Sequence, residues 1–238
     1  YSMDNDLRAV ILAAGKSSRL FPLTENKPKC LLEVNGKKII DWQINAIKQV
    51  GINNILVVTG HCAEKIVEEI DHEVEFSRYN NFGETNNLHT LWSVSEKLKK
   101  PFICFFSDIL FDPGILKEVL ESRDDFCLAV DTSKILDDII KVKIKENAIT
   151  AIGKHIESKD AAGNFIGIAK FSGQGTRILV KQMSEMMPGY QQDYYTKAID
   201  IIARRGVQVN YVKTDKRLWT EVDTKEDLDK ANTIYLNS

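Results

Sequence analysis

The sequence predicts an α/β fold: a three-layer sandwich around a mixed, mostly parallel sheet, with a β-rich insertion in the second half. Two patterns carry this prediction. In the first half, short apolar runs alternate with segments of helical periodicity, the signature of βαβ units whose strands are buried on both faces. In the second half, strand candidates follow one another closely, with spacing that suits hairpins rather than helical crossovers.

The first strand is Ala9-Val10-Ile11-Leu12, apolar throughout. Residues 39–50 place Ile40, Ile44, Ile47 and Val50 at helical spacing, and Gly51 is the stop. A strand over 55–59, a short helix over 63–70 and a strand over 74–77 follow. A helix over 88–98 has Leu91 and Val94 on one face, and an all-apolar strand over 102–106 ends at Ser107-Asp108. Asp112 before Pro113 reads as a helix cap, because proline suits the first helical position. Strands are then predicted over 126–130, 139–144, 148–152 and 165–171. Helices over 177–187 and 194–204, a strand over 207–212 and a helix over 225–235 complete the chain. No repeat, low-complexity stretch or flexible linker divides it, so residues 1–238 read as one domain. Within it, residues 125–172 form an insertion that walls a substrate pocket, and Tyr1-Ser2 ahead of Met3 read as a tag remnant.

With 238 residues and 43% hydrophobic content the chain can bury a substantial core. Its formal charge of −2 argues against a general nucleic-acid binder. Cys30, Cys62, Cys104 and Cys127 are widely spaced and form no C-x-x-C, which suits reduced thiols of a cytoplasmic protein. No apolar run approaches a membrane span.

Leu12-Ala13-Ala14-Gly15-Lys16-Ser17-Ser18-Arg19, with Lys27-Pro28-Lys29 downstream, is the most informative segment. It follows the first strand, at the sheet edge where open α/β sheets bind ligands. Ala13, Ala14 and Gly15 let a nucleotide approach the backbone, while Lys16, Arg19, Lys27 and Lys29 bring positive charge to the same place. Neither G-x-G-x-x-G nor a Walker loop is present. Asp108, at the end of an apolar strand, suits a Mg²⁺ ligand. Asp223, in Trp219-Thr220-Glu221-Val222-Asp223, reads on its own equally well as a cap of the closing helix. Asn86 and Asn87 read as a cap of the following helix or as amides that hydrogen-bond a base or ribose.

The whole string resembles the L-A-A-G-x-[GS]-[ST]-R-[LM] … K-P-K signature of nucleotidyltransferases that make sugar nucleotides and CDP-alcohols. Thr85-Asn86-Asn87-Leu88-His89-Thr90-Leu91 departs from the glycine-rich segment of the sugar-nucleotide enzymes. It is more similar to the N-N-x-x-[ST]-L segment of phosphocholine cytidylyltransferases. Thr59-Gly60-His61-Cys62-Ala63-Glu64, residues 163–170 and residues 219–223 resemble the phosphonate cytidylyltransferases.

This resemblance implies a Rossmann-like fold and a Mg²⁺-dependent transfer of CMP from CTP to a small phosphonate or phosphomonoester, with 2-aminoethylphosphonate as leading acceptor. Phosphocholine is the nearest rival, a sugar 1-phosphate stands third, and a nucleotide-binding regulatory domain without turnover is the alternative of another class. The resemblance pairs Asp108 with Asp223 on one metal. Arg19 and Lys29 are then expected to stabilise charge on the reacting phosphate, and residues 12–18 with Asn86 and Asn87 to bind the nucleotide. It implies Lys154 as an acceptor residue, against the alternative of a hairpin-surface lysine. Asp193, Tyr194 and Glu221 are candidates to receive an ammonium group, by charge and π-face, with Asp193 equally a helix cap. His61 and His89 read as hydrogen-bonding or core residues. A homodimer is compatible with the family.

Overall fold

The structure is a computed structural model that describes residues 7–235, so Tyr1-Ser2 lies outside the described residues. The chain begins with β1 (Arg8–Ala13), a short hairpin of β2 (Glu33–Val34) and β3 (Lys37–Lys38), and α1 (Ile39–Gln49). Next come β4 (Asn54–Thr59), α2 (Ala63–Glu69), β5 (Glu75–Arg78), α3 (Asn87–Trp92), β6 (Phe102–Phe106), β7 (Ile109–Phe111) and α4 (Pro113–Glu121). The second half holds β8 (Phe126–Asp131), β9 (Lys141–Lys145), β10 (Ala148–Gly153), β11 (Gly163–Phe171), α5 (Gly173–Met186) and α6 (Thr196–Arg204). It closes with β12 (Asn210–Lys213), β13 (Trp219–Glu221) and α7 (Lys225–Ile234).

The main sheet has nine strands in the order β10-β9-β11-β6-β1-β4-β5, with β8 joined to β11 and β12 to β8. β1 runs parallel to β4 and β6, and β5 parallel to β4. β11 enters antiparallel to β6, and β10 is likewise reversed, whereas β8, β9 and β12 keep the direction of β6, so the strands after residue 125 make the sheet mixed. Side chains alternate across the pleat. Val10 and Leu12 therefore join the cluster covered by α3, α5 and α6, while Ala9 and Ile11 face α1, α2 and α4. This sorting of one strand onto two cores produces the three layers.

Opposite the edge that pairs with β8, β11 serves two neighbours by bending. Its first residues pair with β9 and its last with β6, and Gly167 at φ +98 lies between them. A side chain there would be strained and would press on the Phe106 ring.

α1 ends one residue before its predicted limit, with Gly51 at φ +90 just beyond. Asp112 caps α4, accepting from Gly114 N at 2.7 Å, with Pro113 in the first turn. The helix expected over 88–98 stops at Trp92. There Ser93 Oγ donates to Thr90 O at 2.6 Å, and a 3₁₀ turn at Ser95–Lys97 follows, keeping Val94 and Leu98 buried. α5 begins four residues earlier than periodicity predicts, because Ser172 caps it through Gly175 N at 3.0 Å. The antiparallel ribbon of β7 and β13 was not foreseen; each strand has only three residues, too few to show a period. No helix among the described residues is long and apolar enough to cross a membrane.

Gly175 packs so closely that a Cβ would lie 1.9 Å from the Asp125 carbonyl oxygen. Gly175→Ala is therefore expected to destabilise the fold by about 1–3 kcal/mol, as for overpacking against an unyielding neighbour. Chemical denaturation reads this directly, and an unchanged midpoint would mean that α5 can shift freely on the sheet.

Candidate active site

The C-terminal ends of β1 and β6 open into a cleft of about 450 Å³. The small side chains of Ala13 and Ala14 and the bare Gly15 form its floor, and Lys16, Ser17, Ser18 and Arg19 line the loop that follows. A Cβ on Gly15 would meet nothing within 4 Å, so the space over that backbone is open. The loop turns at Ser17 in the left-handed conformation (φ 54), and the Thr24 hydroxyl donates to Ser17 O at 2.7 Å. Gly60 allows the end of β4 to lie against Ala14, where His61 N donates to Ala14 O at 3.0 Å. The His61 ring bonds Thr24 O at 2.7 Å, and His89 bonds Gly189 O at 2.7 Å, so both histidines are tethers.

Across the cleft lie Asp108, Glu221 and Asp223, each offering an oxygen within 4.8 Å of the others. Their meeting depends on the β7–β13 ribbon, which places Glu221 opposite Ile109, with Val222 N donating to Asp108 O at 2.8 Å. Asp223 does not cap the closing helix. Thr224 does so, in a capping box with Asp227, whose carboxylate also accepts from Asp223 N at 3.0 Å. The Asp223 side chain is thus left for the cleft.

Lys29 is the link between the two sides. Its ammonium donates to Asp108 Oδ2 at 3.0 Å and Asp223 Oδ1 at 2.9 Å, and Arg19 pairs with Asp223 Oδ2. Burial alone would lower the Lys29 pKa, but attraction to the two aspartates prevails and raises it above the usual lysine range. Burial likewise opposes ionisation of Asp223, yet Lys29 and Arg19 hold its carboxyl below the ordinary value. Glu221 lacks such a close cation. Burial, then repulsion from Asp108 and Asp223, pushes it up to about 8 despite the opposing pull of Lys29 and Lys154.

Asp108 Oδ1 is buried and accepts no hydrogen bond. A carboxylate oxygen in that state is costly unless a cation or donor meets it. An orphaned oxygen beside two further carboxylates is a donor set suited to a hard divalent ion. The residues present therefore fit such an ion, and Glu221, expected to receive an ammonium group, lies within this set.

Asn86 caps α3 and its side-chain oxygen accepts from Asn87 N at 2.8 Å. Asn87 Oδ1 accepts from Tyr195 N at 2.7 Å, which ties the start of α6 to α3. Both asparagines line the cleft, with amide donors left for a ligand. Lys154 follows β10 into the cleft, its Nζ 5.0 Å from the centre of the Tyr194 ring. Asp193 is not brought in. Its backbone bonds Leu88 and Tyr190, and α6 is preceded by Tyr195, so it is neither a lining residue nor the cap.

One residue absent from the sequence reading supports Asp108. Gln43 of α1 is 1% exposed, and its Nε2 donates to Phe106 O at 2.7 Å and Ile109 O at 2.9 Å, bracketing Ser107 and Asp108. A glutamine within the stripe Ile40, Ile44 and Ile47 is the signal that could have marked it.

With this geometry in view, comparison with known proteins is specific. The sequence model of the MobA-like NTP transferase domain matches residues 9–140, more than half of the chain. The chain belongs to that family. It is a nucleotidyltransferase, and it has cytidylyltransferases among its relatives. The CTP:phosphoglutamine cytidylyltransferase of Campylobacter jejuni is 27% identical over 94% of this chain and 98% of its own. The 2-aminoethylphosphonate cytidylyltransferase of Lancefieldella rimae is 33% identical over 113 residues, 46% of each chain. The CTP:phosphocholine cytidylyltransferase structure from Streptococcus pneumoniae superposes with a TM-score of 0.79 at 20% identity, covering 96% of this transferase and 98% of that chain. This last likeness concerns the fold.

In the metal-free transferase Glu221 makes stability depend on pH. A carboxyl raised from 4.5 to about 8 contributes stability that is full below 4.5 and is lost as pH rises through 8. Glu221→Gln stays neutral, so it is expected to lose less stability than wild type across that window in chemical denaturation. Equal slopes would show that Glu221 is already ionised. Gln43→Leu is expected to retain the fold but leave two carbonyls unpaired, lowering stability by about 1–3 kcal/mol and weakening divalent-ion affinity. Calorimetric titration with Mg²⁺ that gave wild-type affinity would separate Gln43 from Asp108.

Proposed function

We propose that the protein is a Mg²⁺-dependent cytidylyltransferase that transfers CMP from CTP to a small phosphonate or phosphomonoester, with 2-aminoethylphosphonate as leading acceptor. The observation that carries this reading is the meeting of Asp108, Glu221 and Asp223 opposite the basic loop in one cleft. Carboxylates alone repel a triphosphate, and a basic loop alone merely binds it. Together they suit a nucleoside triphosphate that brings a divalent cation.

In this reading Gly15 and the backbone after it approach the triphosphate, with Lys16 towards the β- and γ-phosphates. The Asn86 and Asn87 amides are donors, which suits the O2 and N3 acceptors of cytosine. Asp108, Asp223 and Glu221 would hold Mg²⁺, which when bound neutralises phosphate charge and makes the α-phosphorus more electrophilic. An acceptor phosphonate has a second pKa near ~6, so its oxygen is a nucleophile at neutral pH and no protein base is required. That oxygen forms a bond to the α-phosphorus, the bond to the β-phosphate bridging oxygen breaks, and pyrophosphate leaves with the electron pair. Lys29 and Arg19 stabilise the charge that accumulates on the α-phosphate oxygens. Lys154, beside Tyr194 in the cleft lining, binds the acceptor's phosphorus group.

The acceptor class is supported by three of the similar proteins, named as cytidylyltransferases for phosphoglutamine, 2-aminoethylphosphonate and phosphocholine, small phosphorus-bearing compounds that also carry nitrogen. Pyrophosphate release tests the reading. Wild type with Mg²⁺ and CTP is expected to turn over 2-aminoethylphosphonate or phosphocholine, with little release from other nucleoside triphosphates. Asp108→Asn and Asp223→Asn should each cost on the order of 10²–10³ in kcat, by analogy with loss of one charge-stabilising group. Release confined to UTP or dTTP with a sugar phosphate would sink the proposal.

A further inference from the structure

Residues 132–140, between β8 and β9, have no regular structure, yet their backbone is held almost continuously from beneath. Asp131 Oδ1 accepts from Ser133 N at 2.8 Å and from its hydroxyl at 2.6 Å. Asn164, fully buried, donates to Lys134 O at 2.7 Å and accepts from Leu136 N at 3.0 Å. Lys141, 3% exposed, donates through its ammonium to Asp137 O at 2.6 Å and Ile139 O at 3.4 Å. Phe165 N donates to Ile140 O at 2.8 Å. Burying an amide and an ammonium is costly, and here both are spent on the path of one loop.

That path has a consequence for the cleft. Asp138, Ile139 and Ile140 line it, although the sequence reading singled out none of them. Lys141 fixes the carbonyls on either side of Asp138, so this carboxylate sits on a pinned backbone. It has no hydrogen bond or ion pair among the described residues. The strand register places its surroundings. Gly153 lies opposite Lys141 and Asn164 opposite Lys141 on the other side, so Lys154, Ile140 and Phe165 come together at one end of three adjacent strands. The wall thus carries an ammonium at Lys154 and an unpaired carboxylate at Asp138, two charges of opposite sign.

We propose that Asp138 is a specificity-determining residue that receives a cationic group on the acceptor, while Lys154 takes the acceptor's phosphorus group. The strap of residues 132–140 is then the device that sets the distance between the two charges. This inference rests on the nucleotidyl-transfer reading above and adds to it the residue that recognises the acceptor's cation. A neutral acceptor of the same size leaves Asp138 without a partner, so the wall selects for a zwitterion.

The test uses wild type and Asp138→Asn with Mg²⁺ and CTP. The acceptors are 2-aminoethylphosphonate, phosphoethanolamine, phosphocholine and the uncharged-tail analogues ethylphosphonate and ethyl phosphate. Wild type is expected to favour cationic acceptors over their neutral analogues on the order of tenfold or more in kcat/KM, the worth of one close charge pair. Asp138→Asn should lose that preference through the KM of the cationic acceptor, with the KM of CTP and turnover of the neutral analogues unchanged. The primary amines and the quaternary ammonium distinguish hydrogen bonding from charge alone. Retention of the preference in Asp138→Asn overturns the inference and leaves the cytidylyltransferase reading standing. An equal loss with every acceptor also overturns it, because Asp138 would then serve the reaction in general. No pyrophosphate from wild type with CTP and any of these acceptors overturns both.

Discussion

The ammonium of Lys29 is where the chain's distant parts are held together. It bridges Asp108, 79 residues away, and Asp223, 194 residues away, in a setting from which water is largely removed. Two carboxylates so near each other repel, and a lysine so buried resists its charge. Each difficulty is offset by the other, as the raised Lys29 and lowered Asp223 pKa values record. A buried pair of this kind adds little net stability, but losing one partner leaves an uncompensated charge in the interior. The arrangement therefore constrains geometry more than it strengthens the fold. Everything around it serves that geometry: the β7–β13 ribbon, the Gln43 fork and the capping box that releases Asp223.

The basic loop and the acidic cluster divide one task. The loop lies directly after the central strand, where its backbone is fixed by β1 and its two parallel neighbours. The cluster is assembled from two segments outside the main sheet and depends on side-chain bonds for its placement. Charge in the cluster is close to balance when Glu221 keeps its proton, with Asp108 and Asp223 set against Lys29 and Arg19. A cation arriving with a triphosphate changes that balance on both sides at once.

Most of the parallel half was legible because continuous apolar strands and amphipathic helices leave strong periodic signals. The basic loop was legible for another reason: small residues and cations after a strand also suit an ordinary surface loop, and it was the likeness of the whole string to the nucleotidyltransferase signature that marked it. Asp108 could be placed because an all-apolar strand ends beside it. What stayed hidden was held by interactions without a period. The ribbon strands are too short to show alternation, and a single Gln43 on a helix belongs to no motif. Asp138 lies in a loop whose order comes from Asn164 and Lys141, side chains that sequence alone would place at the surface. Asp193 failed for the converse reason, because its neighbourhood in sequence to Tyr194 did not make it a neighbour in the cleft.

The β7–β13 ribbon also ties the acidic cluster to the order of synthesis. A nascent chain that has reached residue 218 already contains the whole basic loop, Lys29, Asp108 and every strand of the main sheet. It has neither Glu221 nor Asp223. Until β13 docks, Lys29 and Asp108 face each other without their third party, and the final strand must search back across half the chain for its partner. Such long-range closure is slow compared with helix and hairpin formation. The basic loop is thus an early product of folding, whereas the complete acidic cluster forms only after β13 has docked.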